Sequence, residues 1–193
     1  MSEYDLKLLQ AQMKQVLSED RYTHTLGVMY TAQCLAMRYG VDLTRAGVAG
    51  LLHDCAKCIP NEQKLIQCEN YGIEISETER KNPSLLHAKL GACLAKELYN
   101  IEDEEILSAI RWHTTGKPEM TLLEMIIYMA DYIEPNRDQA PNLSVIRKLT
   151  FDDIEKALFQ VLESTLDYLK DRSHAVDPMT RASYEFYQQT FKK

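Results

Sequence analysis

A histidine and an aspartate, His53 and Asp54, stand side by side directly after the apolar run Ala49-Gly50-Leu51-Leu52. Burying either one is costly unless it meets a partner or a metal ion. Three more histidines have similar surroundings: His24 on a long amphipathic segment, His87 within Leu85-Leu86-His87-Ala88, and His113 after Ile110-Arg111-Trp112. Asp131 follows Ile126-Ile127-Tyr128-Met129-Ala130, where a lone negative charge would be expensive. A single polar residue on an apolar helix is readily satisfied by a local hydrogen bond. Six of them on five segments point to a shared interior site.

Imidazole and carboxylate donors without thiolate suit iron, manganese, cobalt or zinc, and favour octahedral over closed tetrahedral coordination. Adjacent residues on a helix point about 100° apart, so His53 and Asp54 can share an ion only at a helix end. The following Cys55-Ala-Lys-Cys-Ile-Pro60 supplies one. Asp54 has two oxygens and can bridge two ions. His24, His53, Asp54 and Asp131 then hold one ion. His87 and His113 face a second, or donate to phosphate beside a single one. A water between two such ions would be acidified towards hydroxide.

Three cationic side chains lie within reach along the chain. Lys57 is three residues beyond Asp54, Arg21 one turn before His24, and Arg137 just after the Glu134-Pro135 break. All three are candidates for phosphate oxygens. Two of them have a structural competitor: solvation or pairing with Asp54 for Lys57, and an ion pair with Glu134 or Asp138 for Arg137. His174 reads as a surface or outlying position. Cys55-x-x-Cys58 has no second pair, so both cysteines are expected to be small buried apolar residues. Trp112, Tyr184 and Tyr187 read as packing residues before they read as base-stacking ones.

The elements that carry these residues are helical. Leu6, Leu9, Met13 and Leu17 recur at three-to-four-residue steps, as do Leu26, Met29, Leu35 and Tyr39. Gly40 ends the second helix, and Asp42 caps a third through Leu52. Pro60 and Asn61 open a fourth. Ser76 to Glu79 and Thr121 to Glu124 read as capping boxes. Thr150 reads as the N-cap of a long helix to about Leu169, and a last helix starts near Met179. No segment alternates like a strand, and no NG or DG hairpin turn occurs. One all-α domain over residues 1–193 follows, a size that supports one substantial core.

With 45% apolar and 26% charged residues the composition is that of an ordinary globular chain. A net charge of −7 leaves no general basic field for nucleic acid or an acidic membrane surface. An anionic substrate therefore needs a local cationic site. No secretory signal or membrane span is visible, and five scattered cysteines resemble no disulfide framework. A reduced, cytoplasmic setting is expected.

The order His24, His53-Asp54, Asp131 resembles the signature of the HD superfamily of metal-dependent phosphohydrolases, and His87 and His113 resemble its two-metal members. The stretches around His24, Ala49–Lys57, Leu86–Ala92, Ala109–Gly116, Tyr128–Arg137 and Asp177–Thr180 are similar to the YqeK family, nearly the whole length of the chain. The resemblance implies a helical bundle of HD type and a symmetrical dinucleoside tetraphosphatase, which splits diadenosine tetraphosphate into two ADP. It implies Asp54 and Lys57 as catalytic groups. Arg21, Tyr132, Arg137, Thr180 and Arg181, with His87 and His113, are its substrate contacts. It implies one or two divalent transition ions, iron first, with manganese or cobalt also fitting. A homodimer is compatible with it. The family often has His-Pro where this chain has Asp177-Pro178, so base or ribose contacts there are expected to differ. The alternatives are an HD phosphohydrolase for guanosine alarmones or (deoxy)nucleotides, or a non-catalytic sensor of metal and nucleotide.

Overall fold

The computed structural model describes residues 4–171 and 176–191, and His174 lies outside them. The described residues form eleven α-helices and one short 3-10 turn, with no strand. In order, the helices are α1 (Leu6–Val16), α2 (Glu19–Tyr39), α3 (Leu43–Leu52), α4 (Asn61–Asn70), α5 (Glu77–Lys81), α6 (Leu86–Tyr99), α7 (Glu104–Trp112), α8 (Leu122–Ile133), α9 (Leu143–Asp152), α10 (Ile154–Asp171) and α11 (Pro178–Phe191). The all-α class read from the sequence is the class observed.

Local chemistry sets most helix starts. Asp5, Ser18, Asp42 and Asp103 accept backbone N–H groups of the first turns of α1, α2, α3 and α7, satisfying donors that the helix itself leaves orphaned. Both expected capping boxes form, Ser76 with Glu79 and Thr121 with Glu124. Thr150 departs from expectation. It is buried inside α9, where its hydroxyl donates to the Ile146 carbonyl at 2.7 Å. Asp153 is the cap of α10, its Oδ1 accepting from Lys156 N at 3.0 Å. Both residues are competent caps, and the choice fell to the position where the chain is extended rather than buried.

α3 is buried from Ala46 to Leu52 and sits at the centre, with α1, α2, α7 and α8 packed around it. Its approach to α2 is close: a Cβ on Gly50 would lie 3.0 Å from Met29 Cα, so glycine is what lets these two backbones meet. The consequence is functional, because α3 ends at the His53-Asp54 pair and α2 carries His24. Arg45 at the start of α3 forks onto Asp103 Oδ2 and Oδ1 at 2.7 and 2.8 Å and onto Glu105 at 2.7 Å. That clamp ties α3 to the start of α7, whose far end leads into His113. The hydrogen bond from Arg45 holds the Asp103 carboxyl below its ordinary range. Its stabilisation is therefore present above the unfolded pKa of about 3.9 and is lost as the pH falls through the lower folded value. Asp103→Ala should cost about 1–2 kcal/mol, roughly 2–8 °C in Tm. The difference from wild type should shrink in melts run below about pH 4.

No helix among the described residues is long and apolar enough to cross a membrane.

Candidate metal centre

The six singled-out residues converge. His24 projects from α2. His53 and Asp54 occupy a tight turn at the end of α3, closed by Cys55 N to Leu52 O and Lys57 N to Asp54 O. This is the helix end that two adjacent ligands require. His87 opens α6, His113 follows α7, and Asp131 lies in the last turn of α8. His53, Asp54, His87 and His113 are buried, while the Asp131 side chain keeps about one-fifth of its surface exposed.

Asp54 lies between two groups. Its Oδ2 is 2.8 Å from Arg21 Nη1, 3.4 Å from His53 Nε2 and 3.9 Å from His24 Nε2. Its Oδ1 is 3.1 Å from His87 Nε2, 3.6 Å from His113 Nε2 and 3.7 Å from Lys57 Nζ. Asp131 Oδ1 is 3.1 Å from His24 Nε2, 3.9 Å from His53 Nε2 and 2.8 Å from Arg137 Nη2.

All four histidines are oriented alike. Nδ1 of His53, His87 and His113 donates to the carbonyls of Gly50, Ser84 and Ile110 at 2.7, 2.6 and 2.8 Å. His24 Nδ1 donates to Glu134 Oε1 at 3.1 Å. With the proton on Nδ1, each Nε2 carries a lone pair, and all four Nε2 atoms face inward. His87 Nε2 and His113 Nε2 stand 3.1 Å apart, where two lone pairs repel. His24 Nε2, His53 Nε2 and Asp54 Oδ1 are buried without a hydrogen-bond partner. A cation fits this arrangement: it satisfies the orphaned acceptors, and the outward Nδ1 bonds are those that fix ligand tautomers in metal sites. Ligand atoms of His24, His53 and Asp131 lie within 4.8 Å of one another, and so do those of His53, Asp54 and His113.

The electrostatics agree. Burial pushes the Asp54 carboxyl up, but the imidazoles of His53, His113 and His87 that face it hold it well below its ordinary range. For Asp131, burial is likewise outweighed by the facing His24 imidazole and by His53 and Arg137. His87 is pushed down to about 4, chiefly by burial, so it is a neutral imidazole at pH 7. Burial lowers the His24 pKa, and the Asp131 and Glu134 carboxylates more than reverse it.

The cations anticipated around the cluster are there. Arg21 holds Asp54, Lys57 Nζ is 3.1 Å from His87 Nε2, and Arg137 pairs with Asp131. That last pairing differs from the ion pair with Glu134 or Asp138 that the sequence offered as the competing reading. Glu134 is instead engaged by His24 and by Asn136, whose N and Nδ2 donate at 2.8 and 3.0 Å. Tyr132 is half-buried one residue past Asp131. Thr180 is buried and lines a cavity of about 600 Å³ shared with Thr114. Arg181 stands exposed on α11 and lines neither this cavity nor the cleft at Arg21. Asp177 caps α11 through Met179 N at 2.8 Å, which gives the departure from His-Pro a local reason. Cys55 is buried, as expected, but Cys58 is exposed, because the turn after α3 has already left the core.

Two residues were not foreseen. Glu134 is buried and holds His24; a Cβ at Gly27 would collide with its carboxylate. Its signal was a glutamate directly before Pro135, one turn after Asp131. Thr114 places its hydroxyl 3.2 Å from His87 Nε2 and 3.1 Å from His113 Nε2. A cleft of about 580 Å³, lined by Arg21, His24, Asn136 and Arg137 among others, opens onto the other side of the cluster. A further cavity of about 600 Å³ between Tyr71 and Trp112 includes none of the six.

Comparison with known proteins agrees with this geometry. Residues 21–136 match the HD domain. The chain is 43% identical over 176 residues to a Bacillus subtilis protein described as bis(5'-nucleosyl)-tetraphosphatase, symmetrical, covering 90% of this chain and 92% of the relative. A Halalkalibacterium halodurans protein of the same description is 42% identical, covering 89% and 91%. The crystal structure of a predicted HD superfamily hydrolase involved in NAD metabolism from Clostridium acetobutylicum superposes with a TM-score of 0.93 at 38% identity, covering 98% of this chain and all of that one. The chain belongs to the HD-domain hydrolases and, within them, to the family of the symmetrical bis(5'-nucleosyl)-tetraphosphatases.

Proposed function

We propose that this protein is a metal-dependent hydrolase that cleaves diadenosine tetraphosphate at its central anhydride bond, giving two ADP. The substrate is that of the relatives, which match along nearly the whole chain. The observation that carries the chemistry is Asp54, a buried carboxylate whose two oxygens face two separate sets of imidazole nitrogens with cations on both flanks. We take residues 1–193 as one such domain. With five free cysteines, a reducing, cytoplasmic compartment suits it.

In this reading His24, His53, Asp54 and Asp131 would hold one ion, and His87 and His113, with Asp54, would hold a second. Iron is our first choice, with manganese or cobalt also suited to this donor set. Ions held there supply charge neutralisation for the phosphoryl oxygens and a water acidified at neutral pH. Asp54 orients that water. Arg21 and Arg137 rest on Asp54 and Asp131 at the rim of the cluster, where their guanidiniums grip phosphate oxygens. Lys57, half-exposed beside His87, serves the phosphate chain and the leaving oxygen. Tyr132 and Thr180 border the substrate.

Chromatography of a digest tests this. The expected products are two ADP per substrate, and equal amounts of AMP and ATP would place the attack elsewhere. The same digest run on guanosine alarmones should leave them intact. Arg137→Ala should remove about 2–4 kcal/mol of transition-state stabilisation, a loss of roughly 30- to 1000-fold in kcat/KM.

A further inference from the structure

The two openings onto the metal centre are chemically different, although the two halves of the substrate are identical. The cleft beside His24, facing Asp54 Oδ2, is lined among the described residues by polar and charged side chains alone, with two guanidiniums, Arg21 and Arg137. Among the described residues it offers cations for phosphates and no apolar wall for a base. The cavity beside Thr114, facing Asp54 Oδ1 through His87 and His113, has apolar walls from Leu85 and Leu169. Around them, among the described residues, stand the Thr180 hydroxyl, the Asp177 carboxylate and a single cation, Lys81. A nucleoside presents an apolar ring face, a hydrogen-bonding edge and ribose hydroxyls, and it needs that combination. At about 600 Å³ the cavity has room for it. Thr114 joins the cavity to the metal centre directly, since its hydroxyl lies against both histidine nitrogens.

We infer that the enzyme reads only one nucleoside: one half of the substrate lodges in the Leu85–Leu169 cavity, and the other is held through its phosphates alone. The inference rests on the reading of the site as a tetraphosphate hydrolase and adds a substrate class to it, the nucleoside 5'-tetraphosphates. Such a molecule is cut at the same central anhydride. The oxygen of one water bonds to a central phosphorus, and the bridging P–O bond breaks with its electron pair on the departing oxygen. One water proton stays on the new phosphate oxygen and the other goes to the leaving group or solvent. The products are a nucleoside diphosphate and pyrophosphate.

The metal-loaded protein should be assayed on diadenosine tetraphosphate, adenosine 5'-tetraphosphate and inorganic tetraphosphate, with ADP binding measured by calorimetry. The expected kcat/KM values for the first two lie within about tenfold of each other, and inorganic tetraphosphate falls at least about a hundredfold below them. Leu169→Trp, which fills the cavity without changing charge, should raise KM for both nucleoside substrates and weaken ADP binding about tenfold, while leaving inorganic tetraphosphate unaffected. Leu85→Trp, which fills the cavity from its other wall, should act in the same direction and covers the case in which the Leu169 variant does not fold. Adenosine tetraphosphate cut more than about a hundredfold more slowly than the dinucleotide would mean that both nucleosides are read, and an inorganic chain cut equally well would mean that neither is. ADP binding unchanged in both variants would remove the nucleoside from this cavity. If the wild type leaves diadenosine tetraphosphate intact while ADP still binds and weakens in the variants, the hydrolase reading fails and the nucleoside seat stands.

Discussion

Replacing His53 by alanine is expected to strip the metal from the protein and lower hydrolysis by about a thousandfold or more, while far-UV circular dichroism stays near that of the wild type. His53 is fully buried and belongs to both groups of residues spaced to hold an ion, so its loss strikes the centre of the cluster. The fold should tolerate the change. α3 is held by the buried run Ala46 to Leu52 against four neighbouring helices. The cavity left behind should cost about 2–4 kcal/mol, within the stability of a domain of this size. Elemental analysis and dichroism on the same sample check both halves. A fully metal-loaded His53→Ala protein would sink the assignment of the central pair.

His87→Ala and His113→Ala are expected to reduce the metal content from about two ions per chain towards one, with activity down by about a thousandfold. They also separate two roles that residue type alone leaves open. A metal ligand must be a neutral imidazole, whereas a histidine donating to phosphate can be protonated. The geometry favours ligands. Burial pushes His87 down to about 4, so at pH 7 it offers a lone pair. Its Nδ1 proton is already committed to the Ser84 carbonyl, and the His113 Nδ1 proton to Ile110. Both Nε2 atoms face Asp54 Oδ1, the oxygen turned away from His24 and His53. The measurement is metal per chain for wild type and both variants, with and without added manganese or iron. A fully active wild type that never exceeds one ion would overturn the two-ion version, and variants with unchanged metal content would make these histidines phosphate donors.

Much of this was legible in the chain because it is local. Helix periodicity and the Ser76 and Thr121 capping boxes act over four residues or fewer, so they appear in the sequence and again in the structure. The six metal-site candidates were visible for a related reason: an imidazole or carboxylate on an apolar face costs too much to be there idle. The resemblance carried by the Tyr128–Arg137 stretch then narrowed the chemistry to phosphoanhydride hydrolysis.

What folding added depends on pairs far apart in sequence. Glu134 orients His24 across 110 positions, and Ser108 and Lys117 meet over Glu124 from different segments. Thr150 and Asp153 are equally good caps on paper, and burial against α2, through the Tyr39 hydroxyl, assigned the role to Asp153. Arg137 had two acidic neighbours in sequence and chose Asp131, because Glu134 was already occupied by His24 and Asn136. The direction of each imidazole follows from which backbone carbonyl accepts its Nδ1 proton, a matter of three-dimensional placement. So does the contrast between the two clefts: α2 and the loop after α8 bring guanidiniums to one, while the turn before α6 and the end of α10 bring leucines to the other. A sequence displays which groups need partners; the packing of α2, α3, α6, α7 and α8 around one point selects the partner each receives.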